Sequence, residues 1–187
     1  MSSYFERQPP PSEIAERIEG FQSWIEVDLD AVGHNLDQVK AATGREIIPC
    51  VKSNAYGHGL VPVAAYMARW GVRRVLVAKL WEAEQLRDAG LDVGIVNMDP
   101  LFAPQQYGYV VERGITQTVY QRKTAEHLSE AARKQRKEAK VWVKVDTGLG
   151  RVGVRWGEAP GLIEYIAKLP NIEIDGVFST LSEDSEL

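Results

Sequence analysis

Residues 115–145 read ITQTVYQRKTAEHLSEAARKQRKEAKVWVKV, and this stretch sets the fold class. A short β-branched run, Ile115–Val119, gives way to a helical pattern over 122–138 and then to a second apolar run, Val141–Val145. Two strands joined by a helix of that length form a parallel βαβ unit, because parallel neighbours need a long crossover whereas antiparallel ones need only a turn. The alternation continues on both sides. Apolar runs stand at 47–51, 75–78, 93–96 and 174–178, with helical segments expected over 60–70, 81–89, 102–113 and 158–168. Runs that are apolar on both faces suit a sheet covered by helices. Gly90, directly after Leu86–Ala89, is a helix stop, and no constant period marks a solenoid. Such strand–helix units make either an open doubly wound sheet or a (β/α)8 barrel. No Gly-x-Gly-x-x-Gly follows the first run, which weakens a dinucleotide fold.

Upstream, residues 1–22 are polar, carry Pro9-Pro10-Pro11 and show helical spacing only from Ser12 to Gly20. They read as an N-terminal extension, with the domain proper over 23–187. Trp24, Ile25 and Val27 alternate with Glu26 and Asp28, the pattern of a short strand with one wet face. Asp28 or Asp30 can then cap a helix running to about Thr43, with Leu29, Val32, Leu36 and Val39 at helical spacing and Gly44 as its stop.

The 187 residues carry 26 acids against 22 bases, a net charge of −4, with 44% apolar and 26% charged residues. That is a globular composition, and the acidic excess argues against a nucleic-acid-coating protein. The bases of Arg122–Lys140 are balanced by Glu126, Glu130 and Glu138 and lack interleaved aromatics, so they read as a solvated helix face. A single cysteine, Cys50, excludes an internal disulfide and a cysteine-based zinc site, and fits a reducing compartment. No apolar run approaches the ~18 residues of a membrane helix, and the N-terminus has no secretory core. The expected location is cytoplasmic, without membrane or nucleic-acid partners.

In either α/β architecture, functional groups belong at the C-terminal ends of strands. The first run ends Val51-Lys52-Ser53-Asn54-Ala55-Tyr56-Gly57-His58-Gly59. A lysine in that place can be desolvated and so become a nucleophile for Schiff-base chemistry, although an ordinary exposed lysine also fits. The glycines let the backbone turn toward a helix whose N-terminus can hold a phosphate. Tyr56 also suits packing, and His58 reads as a hydrogen-bonded loop residue, with no second histidine at metal-binding spacing. The fifth run continues Lys144-Val145-Asp146-Thr147-Gly148-Leu149-Gly150-Arg151-Val152-Gly153. Alternation puts Trp142, Lys144 and Asp146 on one face. The glycines then bring Arg151 back over the strand end, where a guanidinium suits a phosphate, carboxylate or phenolate. A plain Lys144–Asp146 ion pair with Arg151 on the surface fits equally. The acidic tail from Leu181 to Glu186 is too scattered for a metal site.

Together these segments resemble bacterial alanine racemase, the pyridoxal phosphate (PLP) enzyme of fold type III. Trp24–Ala31 with Asn35-Leu36 is similar to the family's opening strand and first helix. Val51–Gly59 resembles its cofactor-lysine signature, with Ser53 where alanine is common. Lys144–Gly153 resembles its second signature, with Leu149 where methionine is usual. The likeness runs in order over about residues 23–180. It implies that Lys52 carries PLP as a Schiff base and acts as one of two catalytic bases. It further implies that Tyr56 meets the cofactor phosphate and that Arg151 bonds the PLP phenolic oxygen. Lys144, a carbamate in some members, would hold Arg151 in place. The second base in this family is a tyrosine from the partner subunit's C-terminal β domain, so a homodimer is implied. Thr180 stands where the family usually has a histidine that supports an arginine facing the pyridine nitrogen.

The expectation is therefore an isomerase interconverting L- and D-alanine for cell-wall synthesis, with PLP as cofactor and no metal. A non-catalytic remnant that binds PLP or a partner chain is one alternative. Another fold-type-III enzyme, a decarboxylase or a racemase of a different amino acid, is a second. The Tyr56–Gly59 continuation favours the racemase branch over the decarboxylases. A whole barrel takes about 250 residues, and about 200 at its lower end. With the extension set aside, the chain supplies about six of eight β/α units, so a (β/α)8 barrel present only in part is expected, as the N-terminal portion of a larger enzyme.

Overall fold

The structure, a computed structural model, describes residues 4–182, so the acidic stretch from Glu183 onward lies outside the described residues. The chain packs as two compact units. One holds the chain up to Leu76 together with Trp81–Val93; the other holds Val77–Leu80 and the chain from Gly94 onward.

In the first unit, helix α1 (Pro11–Ile18) starts on a proline, whose missing N–H costs nothing at a helix start, and buries none of its residues. Helix α2 (Leu29–Thr43) begins where the Asp28 carboxylate accepts the N–H groups of Asp30 and Ala31, and ends at Gly44 with φ +62°. Of its residues only Gly33 is buried. A Cβ at Gly33 would lie 3.1 Å from the Trp70 indole, so the glycine allows that close contact. Helix α4 (Leu60–Arg69) is held to α2 by polar links: the Tyr66 hydroxyl donates to Asp30 at 2.6 Å and the Trp70 indole N–H donates to Asp37 at 3.0 Å. Its other face buries Leu60, Val63, Ala64 and Ala65. Between them lies α3 (Lys52–Tyr56), one short turn. Helix α5 (Leu80–Asp88) buries Ala83, Leu86 and Glu82.

Two expected strands are not formed here. Trp24–Val27 joins no sheet, and Ile25 is 83% exposed; alternation does not make a strand without a neighbour to take its backbone bonds. The run 47–51 contributes only a parallel bridge, Cys50 to Leu76, within this unit. The Leu76 N–H donates to Pro49 O and the Val51 N–H to Leu76 O, both at 2.8 Å. Pro49 itself has no N–H to extend a ladder. The next run forms strand β1 (Arg74–Val77).

In the second unit every strand pairing is parallel. Strands β2 (Gly94–Asn97), β3 (Thr116–Val119) and β4 (Ala139–Asp146) lie side by side, with Val96 opposite Thr116 and Val119 opposite Val143. Strand β6 (Ile172–Ser179) flanks β4 along its length. A two-residue strand, β5 (Val154–Arg155), pairs with the end of β4 and has no counterpart in the apolar runs. Helices α6 (Pro104–Glu112), α7 (Arg122–Gln135) and α8 (Ala159–Ile166) make the crossovers. They bury short apolar stripes such as Ala125, Leu128 and Ala132 of α7 against Val141 and Val143, which have no exposed surface. The charged face of α7 is solvated, with Arg133 and Lys134 both paired to Glu130.

Candidate active-site segments

Each signature folds within one unit. In the first, Val51, directly before Lys52, is 1% exposed. The next four residues, Ser53, Asn54, Ala55 and Tyr56, all have positive φ, between 51° and 57°. This is a turn of left-handed helix, which costs about 1–2 kcal/mol per non-glycine residue. Asn54 is the residue type that tolerates it best. Its side chain also accepts the Leu60 N–H at 2.8 Å, capping the start of α4, while its carbonyl accepts from Gly57 and Gly59. The glycines therefore end the turn and do not make it. The turn places the Lys52 ammonium 5.8 Å from the centre of the Tyr56 ring. The Tyr56 hydroxyl donates to Cys50 Sγ at 3.8 Å, and that bond, with some burial and the charge of Cys50, pushes its pKa up. His58 bonds the Ala55 carbonyl through Nδ1 at 2.9 Å, a loop fastening of the kind expected.

One contact in this unit had no place in the sequence reading. Glu82, 1% exposed, accepts the Ser53 N–H at 2.6 Å. A carboxylate on the otherwise apolar inner side of α5 was the available signal.

In the second unit, Lys144 is 4% exposed near the end of β4. Its ammonium donates to Thr180 Oγ1 at 2.8 Å and lies 4.9 Å over the Phe178 ring. Phe178 also meets Trp142, with ring centres 5.7 Å apart, so Trp142 and Lys144 do share a face. Burial lowers the Lys144 pKa, the Arg151 cation lowers it further, and Asp146 opposes both. Lys144 and Asp146 take different hydrogen-bond partners. Asp146 Oδ1 accepts the N–H groups of Gly148 (3.1 Å) and Gly150 (3.0 Å), folding the loop that carries the exposed Arg151. Thr147 and Ser179 share a hydrogen bond of 2.6 Å beside it.

The two glycine N–H groups, Gly150 first, pull the Asp146 pKa below the ordinary carboxylate value. A group with a depressed folded-state pKa adds its full share of stability above its unfolded pKa and loses it as pH falls through the folded one. The loop is therefore expected to stay ordered above the usual carboxylate range and to loosen only in more acidic solution. Amide shifts of Gly148 and Gly150 followed by NMR should titrate together, below the ordinary carboxylate pKa. The Asp146→Asn substitution should abolish that titration; if the titration survives the substitution, another group controls the loop.

Each segment by itself carries groups of the kind PLP takes: in the first, a lysine amine that can bond an aldehyde and a tyrosine hydroxyl that can donate to a phosphate; in the second, a guanidinium that suits a phenolate oxygen.

The profile of the family described as "Alanine racemase, N-terminal domain" matches residues 27–186. The alanine racemase of Halothermothrix orenii is 38% identical over 166 residues, covering 88% of this chain and 44% of its own length. That of Desulfovibrio desulfuricans is 40% identical over 158 residues, covering 83% and 42%. Among solved structures, alanine racemase of Clostridium difficile 630 superposes with a TM-score of 0.81 at 30% identity, over 88% of this chain and 44% of that one. Histidine racemase of Leuconostoc mesenteroides gives 0.76 at 27% identity, over 83% and 42%. The chain thus spans less than half the length of these relatives. The fold class is α/β, with the parallel units of a (β/α)8 barrel present in part.

Proposed function

The chain belongs to the alanine racemase family through its N-terminal domain, and from that membership we propose that it is the lysine-bearing portion of a PLP-dependent isomerase interconverting L- and D-alanine. The observation that carries the reading is the left-handed turn directly after Lys52. Strained backbone of this kind persists where a side chain must be aimed, and here the aimed group is an amine beside a phenol.

When bound, PLP supplies an electron sink for the charge left as the substrate loses its Cα proton. Lys52 would hold the cofactor through Nζ, and its amine would take and return the substrate Cα proton on one face. Tyr56 would hydrogen-bond the phosphate through its hydroxyl, Arg151 would hold the phenolic oxygen, and Lys144 would position Arg151. A carbamate on Lys144, the form some family members carry, is part of the proposal; burial and the Arg151 cation both lower the pKa of its ammonium. Mass analysis of the intact chain in bicarbonate buffer, with Lys144→Met as reference, checks for it. Thr180 takes the Lys144 hydrogen bond at the position where the family usually has a histidine. Racemisation needs a second base on the opposite face, which we assign to a partner subunit in a homodimer.

No helix among the described residues is long and apolar enough to cross a membrane. Cytoplasmic action in supply of D-alanine for the cell wall is the setting proposed. The likeness to a histidine racemase favours, as a second reading, an amino acid other than alanine. A panel of L-amino acids assayed for D-product separates the two. The direct test of the site is trapping. The chain is mixed with PLP, reduced with borohydride and digested, and the label is expected on Lys52. Labelling confined to other lysines overturns the assignment.

A further inference from the structure

We propose that Glu82 is the positioning residue for Lys52, an inference that rests on reading Lys52 as the PLP-bearing lysine. Glu82 lies in the first turn of α5 and is 1% exposed, an unusual place for a carboxyl group. Burying such a group is costly unless it is hydrogen-bonded. Here its Oε1 accepts the backbone N–H of Ser53 at 2.6 Å. That N–H belongs to the peptide joining Lys52 to Ser53. A peptide unit is planar, so holding its N–H fixes the torsion of Lys52 on one side and of Ser53 on the other. Ser53 is also the first of the positive-φ residues, where the chain leaves the ordinary right-handed region at φ +54°.

Two backbone bonds close the turn on itself, Ala55 N–H to Val51 O at 2.8 Å and Gly57 N–H to Ser53 O at 3.2 Å, and the Asn54 side chain ties its later part to the start of α4 by accepting the Leu60 N–H at 2.8 Å. None of these ties its first peptide to a separate element. Glu82 does, because α5 is a separate helix with Ala83 and Leu86 fully buried. The geometry therefore points to a brace between α5 and the peptide on which the Lys52 side chain is mounted. An oxygen acceptor is what the brace requires.

The full chain in wild-type, Glu82→Gln and Glu82→Met forms tests this, since methionine keeps the volume without an oxygen and glutamine keeps the oxygen without the charge. Hydrogen exchange at the Ser53 amide reads the brace, and borohydride trapping of PLP on Lys52 reads its consequence. In the Met variant, Ser53 is expected to exchange about tenfold faster and Lys52 to trap PLP about tenfold less efficiently, with the Gln variant close to wild type. Unchanged Ser53 exchange in the Met variant overturns the proposal. So does a Gln variant as impaired as the Met one, because the charge would then be what matters. Equal loss of protection at Val63–Ala65 of α4 also overturns it, since Glu82 would then support the whole unit and not the turn. If wild-type Lys52 fails to trap PLP while Ser53 still responds to the Met substitution, the cofactor reading falls and the brace stands.

Discussion

Lys52→Ala should abolish covalent PLP capture: no borohydride-stable label should remain on the peptide spanning residues 51–59. On the proposed function, the same change should lower alanine racemisation by about 10²–10⁴-fold or more, the range for removing a positioned acid–base group. The substitution removes both the amine that bonds the aldehyde and the group that moves the proton on one face. Its structural cost should be small. Lys52 opens α3 at intermediate exposure, and the turn is held by backbone bonds from Val51, Ala55 and Gly57. Thermal melting and the Ser53 amide signal should therefore stay near wild type, which separates lost chemistry from lost fold. Added methylamine should restore part of the activity if the amine alone is missing. A Lys52→Ala chain that keeps its label on this peptide, or keeps its rate, would falsify the assignment.

Gly153→Ala is expected to be the most damaging conservative change in the second signature. Gly153 sits at φ +134°, a region open to glycine and almost closed to other residues. A Cβ there would lie 2.7 Å from the Asp146 backbone nitrogen and 3.0 Å from the Val145 carbonyl carbon, and backbone atoms cannot swing aside as a side chain would. Strain and overpacking together should cost on the order of 3 kcal/mol. The loss should be visible as a lower urea midpoint. The collision also falls on Asp146, whose carboxylate folds the loop bearing Arg151, so the Gly148 and Gly150 amide signals should move as well. Gly157→Ala, where a Cβ meets nothing within 4 Å, is the matched control and should leave the midpoint nearly unchanged. Equal effects of the two would show that the close approach at Gly153 does not matter.

Much of the fold was legible in the chain. The α2 boundaries follow from Asp28 and Gly44, and the runs near 75, 93, 115, 141 and 174 became strands within a residue or two of their apolar limits. Caps, prolines and hydrophobic spacing act over a few neighbouring residues, so they can be read one window at a time. The errors share a cause. Trp24–Val27 and 47–51 have strand composition, yet a strand exists only where another backbone takes its hydrogen bonds, and composition does not say whether one is there. Strand β5 is the converse case. Val154–Arg155 is too short to stand out and pairs only because the loop from Asp146 returns it to the end of β4.

The same division holds for the candidate site. Lys52, Lys144 and Arg151 stand out by residue type and position with plainer readings beside them, and Tyr56 takes its site role only from the family resemblance. The left-handed path of Ser53–Tyr56 does not stand out in the sequence. Serine, alanine and tyrosine all disfavour positive φ, so local preference pointed the other way. Contacts with groups outside the turn hold that path, from Glu82 to the Ser53 N–H and from Asn54 to the Leu60 N–H. Local chemistry thus marked most helices and most strands and named candidate side chains, while pairing across the fold decided which strand-like runs became strands. Tertiary hydrogen bonds settled how the backbone aims those side chains, because a strained conformation is stable only when groups from elsewhere in the fold offset its cost.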